Sequence, residues 1–290
     1  MTKKAIILCG GTGSRMYPVT RSTNKQLLPV FDKPMFYYPL SLLMLCGIRD
    51  FIFVINKDQK KNFQNAIGNQ DDLGIKVKFV IQDHPRGLPD AFLITQELIK
   101  NQQIIMILGD NFFYGNMLTP LIKKSFNKSN CCNIYLYPSN KPSSYGVVEF
   151  DKKNKIKKII EKPKKTTSNL IITGLYMFDK NVTKYVKNLK PSKRKELEIV
   201  DLIKIYKSKK KLNIVKLGRG SAWMDVGNFE DLHSASNFIH NIEQRQSYKI
   251  GCIEEIALNN KWINKKNIKN RIKHCQSSSY SNYLNHLIKK

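Results

Sequence analysis

Four predominantly apolar runs, of which only 77–81 is interrupted, by Lys78, constrain the fold of this chain most strongly, and stretches with helical periodicity separate them. The runs occupy residues 5–8, 51–55, 77–81 and 104–108. Strands that are apolar on both faces are typical of a parallel sheet that is covered by helices on both sides. We predict a helix over 39–46, closed by Gly47, and another from Pro89 to about residue 100. The first part of the chain therefore predicts an α/β fold.

The pattern changes after residue 131, where strand-like segments follow one another with fewer helices between them. We predict strands at 133–137, 147–150, 156–160, 171–178, 213–217 and 222–225, a hairpin turn within 151–158, and helices at 181–188, at 198–209 and from Phe229 onward. The complete prediction is a Rossmann-like, three-layer mixed sheet with helices on both faces, plus a helical C-terminal appendage. We expect a core over 1–228, with halves of about 1–130 and 131–228, and a helical segment, 229–290, packed on it.

Length and apolar patterning exclude several classes of protein. The chain has 290 residues, of which 41% are hydrophobic, and no apolar run approaches the roughly 20 residues of a membrane helix. The N-terminus leads directly into the first apolar run without the pattern of a signal peptide. The six cysteines form no C-x-x-C pair, so we predict reduced thiols. We expect a cytoplasmic protein with no membrane partner.

The charge is strongly positive, with a net value of +28 and 50 Lys and Arg residues against 22 Asp and Glu. Only eight of the 50 basic residues are Arg, the residue type preferred for bidentate recognition of phosphates and bases. The lysines are spread over the whole chain, and no aromatic-basic RNA-binding segment or arginine-rich helix is present. A basic nucleic-acid-binding protein is therefore a remote alternative, and we expect no nucleic-acid partner.

A glycine-rich loop, Gly10-Gly11-Thr12-Gly13-Ser14-Arg15, directly follows the first apolar run. Three glycines in four positions let the backbone approach an anion closely, and successive N–H groups can cradle a phosphate. The loop is neither a Walker A motif nor G-x-G-x-x-G, so a simple strand-to-helix turn stays open as the alternative. Lys25 follows ten residues later, so two cations, Arg15 and Lys25, bracket the loop.

Two aspartates follow or end strand-like segments. Asp110 comes just after the apolar run 104–108, at the sheet edge where open α/β folds bind ligands, although a helix cap is the plainer reading. Asp225 ends the segment 222–225. Two carboxylates brought together repel unless a cation lies between them, and Mg²⁺ prefers one or two carboxylates together with phosphate oxygens and water.

In their order along the chain, these motifs resemble those of the sugar-nucleotide pyrophosphorylases, and among them the thymidylyltransferases. The resemblance begins with Leu8–Thr20, Lys25–Val30 and Lys33–Leu40. It continues over nearly the whole chain, through Gln82–Leu88, Leu108–Asn111, Tyr145–Phe150, Glu161–Lys164, Thr173–Tyr176, Pro191–Ile199, Ala222–Gly227 and Cys252–Ala257. No single motif is decisive, but their number and order are specific.

The resemblance implies nucleotidyl transfer from dTTP to α-D-glucose 1-phosphate, which yields dTDP-glucose and diphosphate. The sugar phosphate would attack the α-phosphate in line, with Mg²⁺ as cofactor, in a homotetramer. A uridylyltransferase, or another sugar-1-phosphate nucleotidyltransferase of the same fold, is the alternative.

The resemblance also assigns roles to individual residues. The implied catalytic residues are Arg15, Lys25, Asp110, Lys162 and Asp225, and the implied metal ligands are Asp110 and Asp225. The nucleotide would be bound by Leu8, Gly10, Gly11, Thr12, Gly13, Ser14, Gln26, Gln82, Pro85 and Gly87. The sugar phosphate would be bound by Asn111, Tyr145, Gly146, Glu161, Ile172, Tyr176 and Arg194.

Among the positions that depart from the family pattern, two bear on the expected site. Asp90 places a negative charge near the expected base pocket, and Lys195 stands where the family has glycine. If residue 195 has a positive φ, a lysine there costs about 1–2 kcal/mol. The five histidines match no motif, so we assign them no catalytic role.

Overall fold

Strands and helices alternate along the residues that the computed structural model describes, which are 3–128, 130–273 and 277–289. The strands are β1 (Lys4–Cys9), β2 (Pro29–Val30), β3 (Lys33–Pro34), β4 (Asp50–Ile55), β5 (Lys76–Ile81), β6 (Ile104–Leu108), β7 (Asn111–Tyr114), β8 (Cys132–Pro138), β9 (Gly146–Phe150), β10 (Ile156–Glu161), β11 (Leu170–Phe178), β12 (Leu212–Lys216) and β13 (Ala222–Asp225). The helices are α1 (Tyr37–Leu45), α2 (Lys60–Ile67), α3 (Asp90–Ile94), α4 (Gln96–Ile99), α5 (Leu118–Ser125), α6 (Val182–Val186), α7 (Ile199–Ser208), α8 (Phe229–Gln246), α9 (Ile253–Asn259), α10 (Lys265–Ile272) and α11 (Ser279–Lys289).

The chain forms two compact units that are interleaved in sequence. The first unit comprises Met1–Asp83, Leu108–Phe113 and Met224–Lys290, and the second comprises His84–Ile107 and Tyr114–Trp223. The chain therefore passes from one unit to the other four times. The functional limits at 130 and 228 stay a prediction.

Parallel strands form the centre of the first unit. β4 pairs with β1 on one side and with β5 on the other, and both pairings are parallel. These strands are the first three of the apolar runs, and β4 is almost completely buried. Helix α1 ends before Gly47, whose φ of +87° fits the predicted helix stop. The predicted parallel core is confirmed.

The C-terminal helices of the first unit contact its N-terminal part. Arg271 of α10 donates to the carbonyl of Ile67 at 3.0 Å, and the Asn267 amide donates to Asp72 at 3.1 Å. Helices α9–α11 also share an apolar cluster: Cys252, Ile268, Ile272 and Leu284. The prediction of a helical C-terminal segment is confirmed.

The second unit contains a sheet with both pairing directions. β11 pairs antiparallel with β6, β8 and β9, β10 pairs antiparallel with β9, and β12 pairs parallel with β8. The hairpin between β9 and β10 turns at Asp151, whose carboxylate accepts from the N–H groups of Lys153 and Lys155 at 2.8 and 2.9 Å. The mixed-sheet prediction and the hairpin are confirmed.

The prediction of one continuous helix from Pro89 to residue 100 is wrong. Two short helices, α3 and α4, occupy this segment and are separated at Thr95. The buried Thr95 donates both its N–H and its hydroxyl to the carbonyl of Ala91, at 3.1 and 2.6 Å. A threonine hydroxyl that bonds back to the backbone competes with helix continuation, which accounts for the break.

No helix in the described part of the chain is both long and apolar enough to cross a membrane. Cys9, Cys46, Cys131, Cys132 and Cys252 are free thiols. Cys275 and His274 lie outside the described residues.

Candidate active site

The glycine loop leaves the end of β1 with two residues in backbone conformations that favour glycine. Gly11 has a φ of +105° and Gly13 a φ of +58°. A Cβ atom on Gly13 would lie 2.8 Å from the methyl group of Thr20, while the Thr20 hydroxyl donates to the Gly13 carbonyl at 3.0 Å. Both the backbone angle and the close contact therefore require glycine at position 13.

The loop offers backbone donors to a ligand. Among the described residues, the N–H groups of Thr12, Gly13 and Arg15 donate no hydrogen bond. Three short 3-10 turns follow, Ser14–Met16, Val19–Arg21 and Lys25–Leu27, and the first α-helix of the described residues begins at Tyr37. The alternative of a simple strand-to-helix turn therefore does not describe this segment, whereas consecutive available N–H groups suit a bound phosphate.

Asp110 lies between β6 and β7 and carries an ion pair. Its carboxylate contacts the Lys25 ammonium, which is itself only 9% exposed, and it accepts from the Asn111 amide at 3.0 Å. No helix begins near Asp110, since α5 starts at Leu118. The interpretation of Asp110 as the cap of a following helix is therefore wrong, because the chain continues into strand β7.

Asp225, the last residue of β13, lies near Asp110. The N–H of the next residue, Val226, donates to the Asp110 carbonyl at 2.9 Å. Burial, followed by the negative charge of Asp110, raises the pKa of Asp225 to about 7, although Lys25 and Arg15 act to lower it. The two predicted metal ligands therefore interact, and the unfavourable charge on Asp225 is of the kind that a bound cation would relieve.

The donor set matches a magnesium site that the substrate completes. In residues 3–128, 130–273 and 277–289, no group of three or more His, Cys, Asp or Glu side chains could hold a metal ion by itself. Mg²⁺ is usually held by one or two carboxylates together with phosphate oxygens and water. Asp110 and Asp225 fit this requirement as a pair.

Arg15 packs against the backbone that follows Asp225. A Cβ atom on Gly227 would lie 3.1 Å from both terminal nitrogens of the Arg15 guanidinium. The guanidinium therefore takes space that any side chain at position 227 would fill. This contact brings the Arg15 cation, from the glycine loop, beside the predicted metal ligands.

In the second unit, the predicted site residues Arg194 and Glu161 belong to one ion-pair network. Arg194 donates to the Glu198 carboxylate through two nitrogens, at 2.7 and 3.2 Å, and its guanidinium lies 3.5 Å from Glu161. The Ser192 hydroxyl donates to Glu198 at 2.6 Å. Because Glu198 is held by two partners, it fixes the orientation in which Arg194 meets Glu161.

Gly146, Glu161 and Ile172 meet where three strands run side by side. β9 pairs Gly146 with Glu161 of β10. A Cβ atom on Gly146 would lie 3.3 Å from Ile172 and 3.5 Å from the Glu161 carboxylate. Tyr176, further along β11, instead stacks on Phe178 with ring centres 6.1 Å apart.

Tyr145 directly precedes Gly146, and Lys162 directly follows Glu161. The Lys162 N–H donates to the Tyr145 carbonyl at 3.1 Å, and the Tyr145 ring meets the buried Trp223 ring edge-on at 5.3 Å. Lys162 has a φ of +41°. The buried Trp223 therefore holds the ring of Tyr145, a predicted site residue, by packing.

The charge of Glu161 is balanced by its neighbours. Burial raises the pKa of Glu161, and the Lys162 ammonium acts against this rise. Glu198 raises the pKa further, and Arg194 lowers it. The carboxylate is therefore held among two cations and a second anion, in a half-buried place where hydrogen bonds to a ligand are strong.

Lys195 has the strained backbone that the sequence suggested. Its φ is +61°, and its N–H donates to the Ser192 carbonyl at 2.8 Å. The condition under which a lysine at this position costs about 1–2 kcal/mol is therefore met. The turn nevertheless forms, because the Ser192 N–H also donates to the Glu196 carbonyl at 2.8 Å.

The remaining predicted nucleotide residues fall in both units. In the first unit, the side-chain oxygen of Gln82 lies 3.1 Å from where a Gly10 Cβ would stand. In the second unit, Gly87 has a φ of +95°, and a Cβ there would lie 2.1 Å from the Leu197 carbonyl. Glycine is therefore obligatory at position 87. The buried Gln26, and Leu8 at the end of β1, belong to the first unit, whereas Pro85 and the buried Asp90 belong to the second.

Comparison with known proteins decides the family. The profile of the family described as "Nucleotidyl transferase" matches residues 4–242. The chain belongs to this family. A glucose-1-phosphate thymidylyltransferase from Neisseria gonorrhoeae is 44% identical over 287 residues, which cover 99% of this chain and 100% of the relative.

Further relatives of this nucleotidyltransferase agree. A glucose-1-phosphate thymidylyltransferase from Mycolicibacterium smegmatis is 40% identical and covers 98% of this chain and 99% of its own. Among solved structures, a candidate glucose-1-phosphate thymidylyltransferase from Bacillus anthracis, in complex with a sucrose, has a TM-score of 0.75 at 33% identity and covers 81% of this chain and 94% of its own. The predicted family and enzyme class are confirmed.

Sequence reasoning missed three polar residues that hold the site of this nucleotidyltransferase in shape: Asn24, Asn56 and Glu198. Glu198 lies four residues after Arg194 and could have been found as its ion-pair partner. Asn24 precedes the turn that carries Lys25, where a capping side chain is common. Asn56 directly follows the apolar run of β4, at the edge where ligands bind.

Proposed function

We propose that the chain transfers a thymidylyl group from dTTP to α-D-glucose 1-phosphate, forming dTDP-glucose and diphosphate. The full-length relatives that carry this activity in their names support the choice of substrates. The observation that carries the proposal is the interacting pair Asp110 and Asp225, with Lys25 and Arg15 beside it. All the residues to which we assign roles lie within the predicted core, 1–228.

The glycine loop would bind the triphosphate of dTTP. The N–H groups of Thr12, Gly13 and Arg15 can donate to phosphate oxygens, because no other described group accepts from them. The Arg15 guanidinium and the Lys25 ammonium would offset the charge that develops on the leaving diphosphate. Gly10 and Gly11 let the phosphates approach the backbone.

Asp110 and Asp225 would hold Mg²⁺. When bound, Mg²⁺ supplies positive charge at the phosphate oxygens and orients them for displacement. Lys25 contacts Asp110 and therefore holds that carboxylate in place. Asn111 donates to the other Asp110 oxygen and restricts its rotation.

The second unit would bind the sugar phosphate. Lys162 would hold the phosphate as a point charge, and Glu161 would accept hydrogen bonds from sugar hydroxyls. Gly146 leaves room for the sugar beside Glu161, since a Cβ there would already contact Ile172. Arg194, held by Glu198, would keep Glu161 in position.

The reaction itself needs no covalent intermediate on the enzyme. A phosphate oxygen of glucose 1-phosphate forms a new bond to the α-phosphorus, while the bond from that phosphorus to the bridging oxygen breaks and diphosphate leaves. Because the nucleophile is already an anion, the contribution of the protein is positioning and charge stabilisation.

A nucleotide series tests the proposal and its alternative. Diphosphate release is measured with glucose 1-phosphate, Mg²⁺ and each of dTTP, dUTP, UTP, dCTP and ATP. Gln82 offers a donor and an acceptor to a pyrimidine edge, so dTTP is expected to be best and ATP inactive. The preference over dUTP is expected to be modest, since one methyl group is worth about 1–3 kcal/mol. A clear preference for UTP would establish the uridylyl alternative instead.

We further propose that the enzyme acts as a homotetramer, which the family resemblance implies. Light scattering coupled to size-exclusion chromatography measures the mass directly and is expected to give about four times the chain mass of 33.6 kDa. A monomeric mass would contradict this part of the proposal and leave the reaction unaffected.

A further inference from the structure

The side chain of Asn56 continues the sheet at the point where β1 passes into the glycine loop. β1 and β4 pair up to Cys9 and Ile55. The next residue of the β4 chain, Asn56, donates through its amide nitrogen to the Gly11 carbonyl at 2.9 Å and accepts from the Gly11 N–H at 3.3 Å. Because a primary amide presents a donor and an acceptor like a peptide group, Asn56 gives Gly11 a sheet-like partner outside the sheet.

A second amide, that of Asn24, holds the beginning of the same loop. Asn24 is 5% exposed, and it donates to the Cys9 carbonyl at 2.8 Å. Its oxygen accepts from the Gln26 N–H at 2.9 Å, at the start of the 3-10 turn that carries Lys25. Asn24 therefore joins the end of β1 to the Lys25 turn.

The two amides act on a segment that would otherwise have much freedom. Glycine loses more conformational entropy than any other residue when it is fixed, and Gly10, Gly11 and Gly13 lie within four positions. Asn24 and Asn56 occupy the Cys9 carbonyl and both polar groups of Gly11, whereas the N–H groups of Thr12 and Gly13 stay available within the described residues. Fixing the loop before a ligand arrives lowers the entropy that binding must overcome.

We propose that Asn24 and Asn56 are positioning residues that hold the glycine loop ready for a triphosphate. Asn56 acts on the loop alone, and Asn24 acts on the loop and on Lys25. The inference rests on the proposed function in taking the triphosphate of the nucleotide as the ligand of the loop.

The first test replaces Asn56 with alanine and compares it with Asn62→Ala, which removes an exposed amide that donates only to the Gln59 side chain. Calorimetry measures the dissociation constants of inorganic tripolyphosphate and of dTTP in the presence of Mg²⁺. Loss of both exposed hydrogen bonds to Gly11 is expected to raise both constants up to about tenfold in Asn56→Ala. At saturating dTTP, kcat and the KM for glucose 1-phosphate are expected to stay within about twofold, because the loop still closes on a bound triphosphate.

Hydrogen exchange supplies a readout that does not depend on turnover. In Asn56→Ala without ligand, the peptide amides of the loop are expected to exchange faster, while those of β4 keep their protection. Asn62→Ala is expected to change neither exchange nor affinity. If Asn56→Ala bound tripolyphosphate as tightly as the unaltered protein did, the positioning role would be refuted.

The second test uses Asn24, at which a loss of kcat is also expected. Asn24→Ala removes both hydrogen bonds, whereas Asn24→Ser keeps an acceptor that can cap the Lys25 turn. The expected order of kcat is unaltered protein, serine variant, alanine variant, with the dTTP dissociation constant raised in both variants. If Asn24→Ala unfolds, the serine variant still decides, since equal kcat and equal affinity in it would contradict the role.

The outcomes separate this inference from the proposed function. If the unaltered protein binds tripolyphosphate and dTTP but forms no product from glucose 1-phosphate, the proposed reaction is wrong, and the Asn56 comparison still tests the loop. If the unaltered protein is active and Asn56→Ala matches it in affinity and in exchange, the reaction stands and the inference is wrong.

Discussion

The predicted site segments of the two units differ in which residue types adopt a positive φ angle. In the glycine loop of the first unit, the positive φ angles belong to Gly11 and Gly13. Among the predicted sugar-phosphate segments of the second unit, they belong to Lys162 and Lys195, which have side chains. A positive φ costs glycine nothing and costs other residues about 1–2 kcal/mol. Glycine therefore suffices where the backbone itself is the ligand, and strain is accepted at Lys162, where we propose that a side chain is needed.

The two groups also differ in how they balance charge. In the first unit, burial and the negative charge of Asp110 raise the pKa of Asp225. Lys25 pairs with Asp110, whereas Asp225 forms no ion pair within the described residues. In the second unit, Glu161 and Glu198 share Arg194 between them. A cation is therefore still needed at Asp225, whereas both carboxylates of the second unit already contact one.

The largest effect is expected for Asp225→Asn. Because the variant removes a carboxylate proposed to hold Mg²⁺, kcat is expected to fall by about 10²-fold or more. Diphosphate release at saturating Mg²⁺ measures the effect, and circular dichroism checks the fold. Asp231→Asn, an acid-to-amide change in the first turn of α8, is the matched control and is expected to keep most of the activity. Near-normal turnover of Asp225→Asn would remove the basis of the metal proposal.

The next effect concerns Lys162 and the sugar side. Lys162→Ala is expected to raise the KM for glucose 1-phosphate at least about tenfold and to lower kcat, since a charge-assisted contact is lost. The dissociation constant of dTTP, measured by calorimetry, is expected to stay nearly unchanged. Lys164→Ala, two residues further on and exposed, is the control. A collapse of dTTP binding in Lys162→Ala would move Lys162 to the nucleotide side.

The raised pKa of Asp225 predicts a pH dependence of stability in metal-free protein. The folded protein binds the proton more tightly than the unfolded chain, in which the pKa is about 4. The free energy of unfolding is therefore expected to fall as the pH rises from about 4 to about 7. Urea unfolding in the presence of EDTA measures the slope, and Asp225→Asn is expected to reduce it. An equal slope in the variant would show that other groups cause the dependence.

Backbone strain at Lys195 predicts that a glycine substitution there raises the free energy of unfolding slightly. Lys195→Gly is expected to raise the free energy of unfolding by up to about 1 kcal/mol, because glycine adopts the φ of +61° without a steric cost. Lys193→Gly, at a neighbouring position without positive φ, is expected to lower it. Urea unfolding of the two variants side by side provides the measurement. A loss of stability in Lys195→Gly would mean that the lysine side chain makes compensating contacts.

The smallest effect is expected from the surface charge. Replacement of the lysines in the β9–β10 hairpin by glutamine is expected to leave kcat/KM within a few-fold. Exposed charges that lie more than about 8 Å from a bound substrate are largely screened from it at physiological salt. The residues are Lys152, Lys153, Lys155, Lys157 and Lys158. Steady-state kinetics and a filter-binding assay with RNA are the two measurements. A large loss of activity, or tight RNA binding that salt weakens, would favour the nucleic-acid alternative.

The sequence predicted the elements better than the contacts between them. Apolar runs fix the strands, because a buried strand has few other solutions, and β1, β4, β5 and β6 lie where they were expected. The break at Thr95 was not predicted, because it depends on whether one hydroxyl turns back to the Ala91 carbonyl. The strand β7 was missed because residues 111–114 are too few to show a period.

The site residues could be named from motifs, but their supporting contacts could not. The contacts of Asn24 with Cys9 and of Asn56 with Gly11 join groups distant in sequence, and no spacing rule indicates them. Only Glu198, four residues after Arg194, had a partner close in sequence. The strain at Lys195 could be anticipated because glycine was expected there. The positive φ of Lys162 could not, since no glycine marks that position in the resemblance.

The interleaving of the two units limits how this enzyme can be recombined with its relatives. Residues 84–223 look like a block that could be exchanged to alter the choice of sugar. That block, however, contains Leu108–Phe113, which belongs to the other unit and carries Asp110. A chimera built with two crossover points would therefore import a foreign Asp110 segment beside the native Asp225 and Lys25. Four crossover points, at the places where the chain changes unit, are needed to transplant the residues proposed to bind the sugar phosphate and leave the carboxylate pair intact.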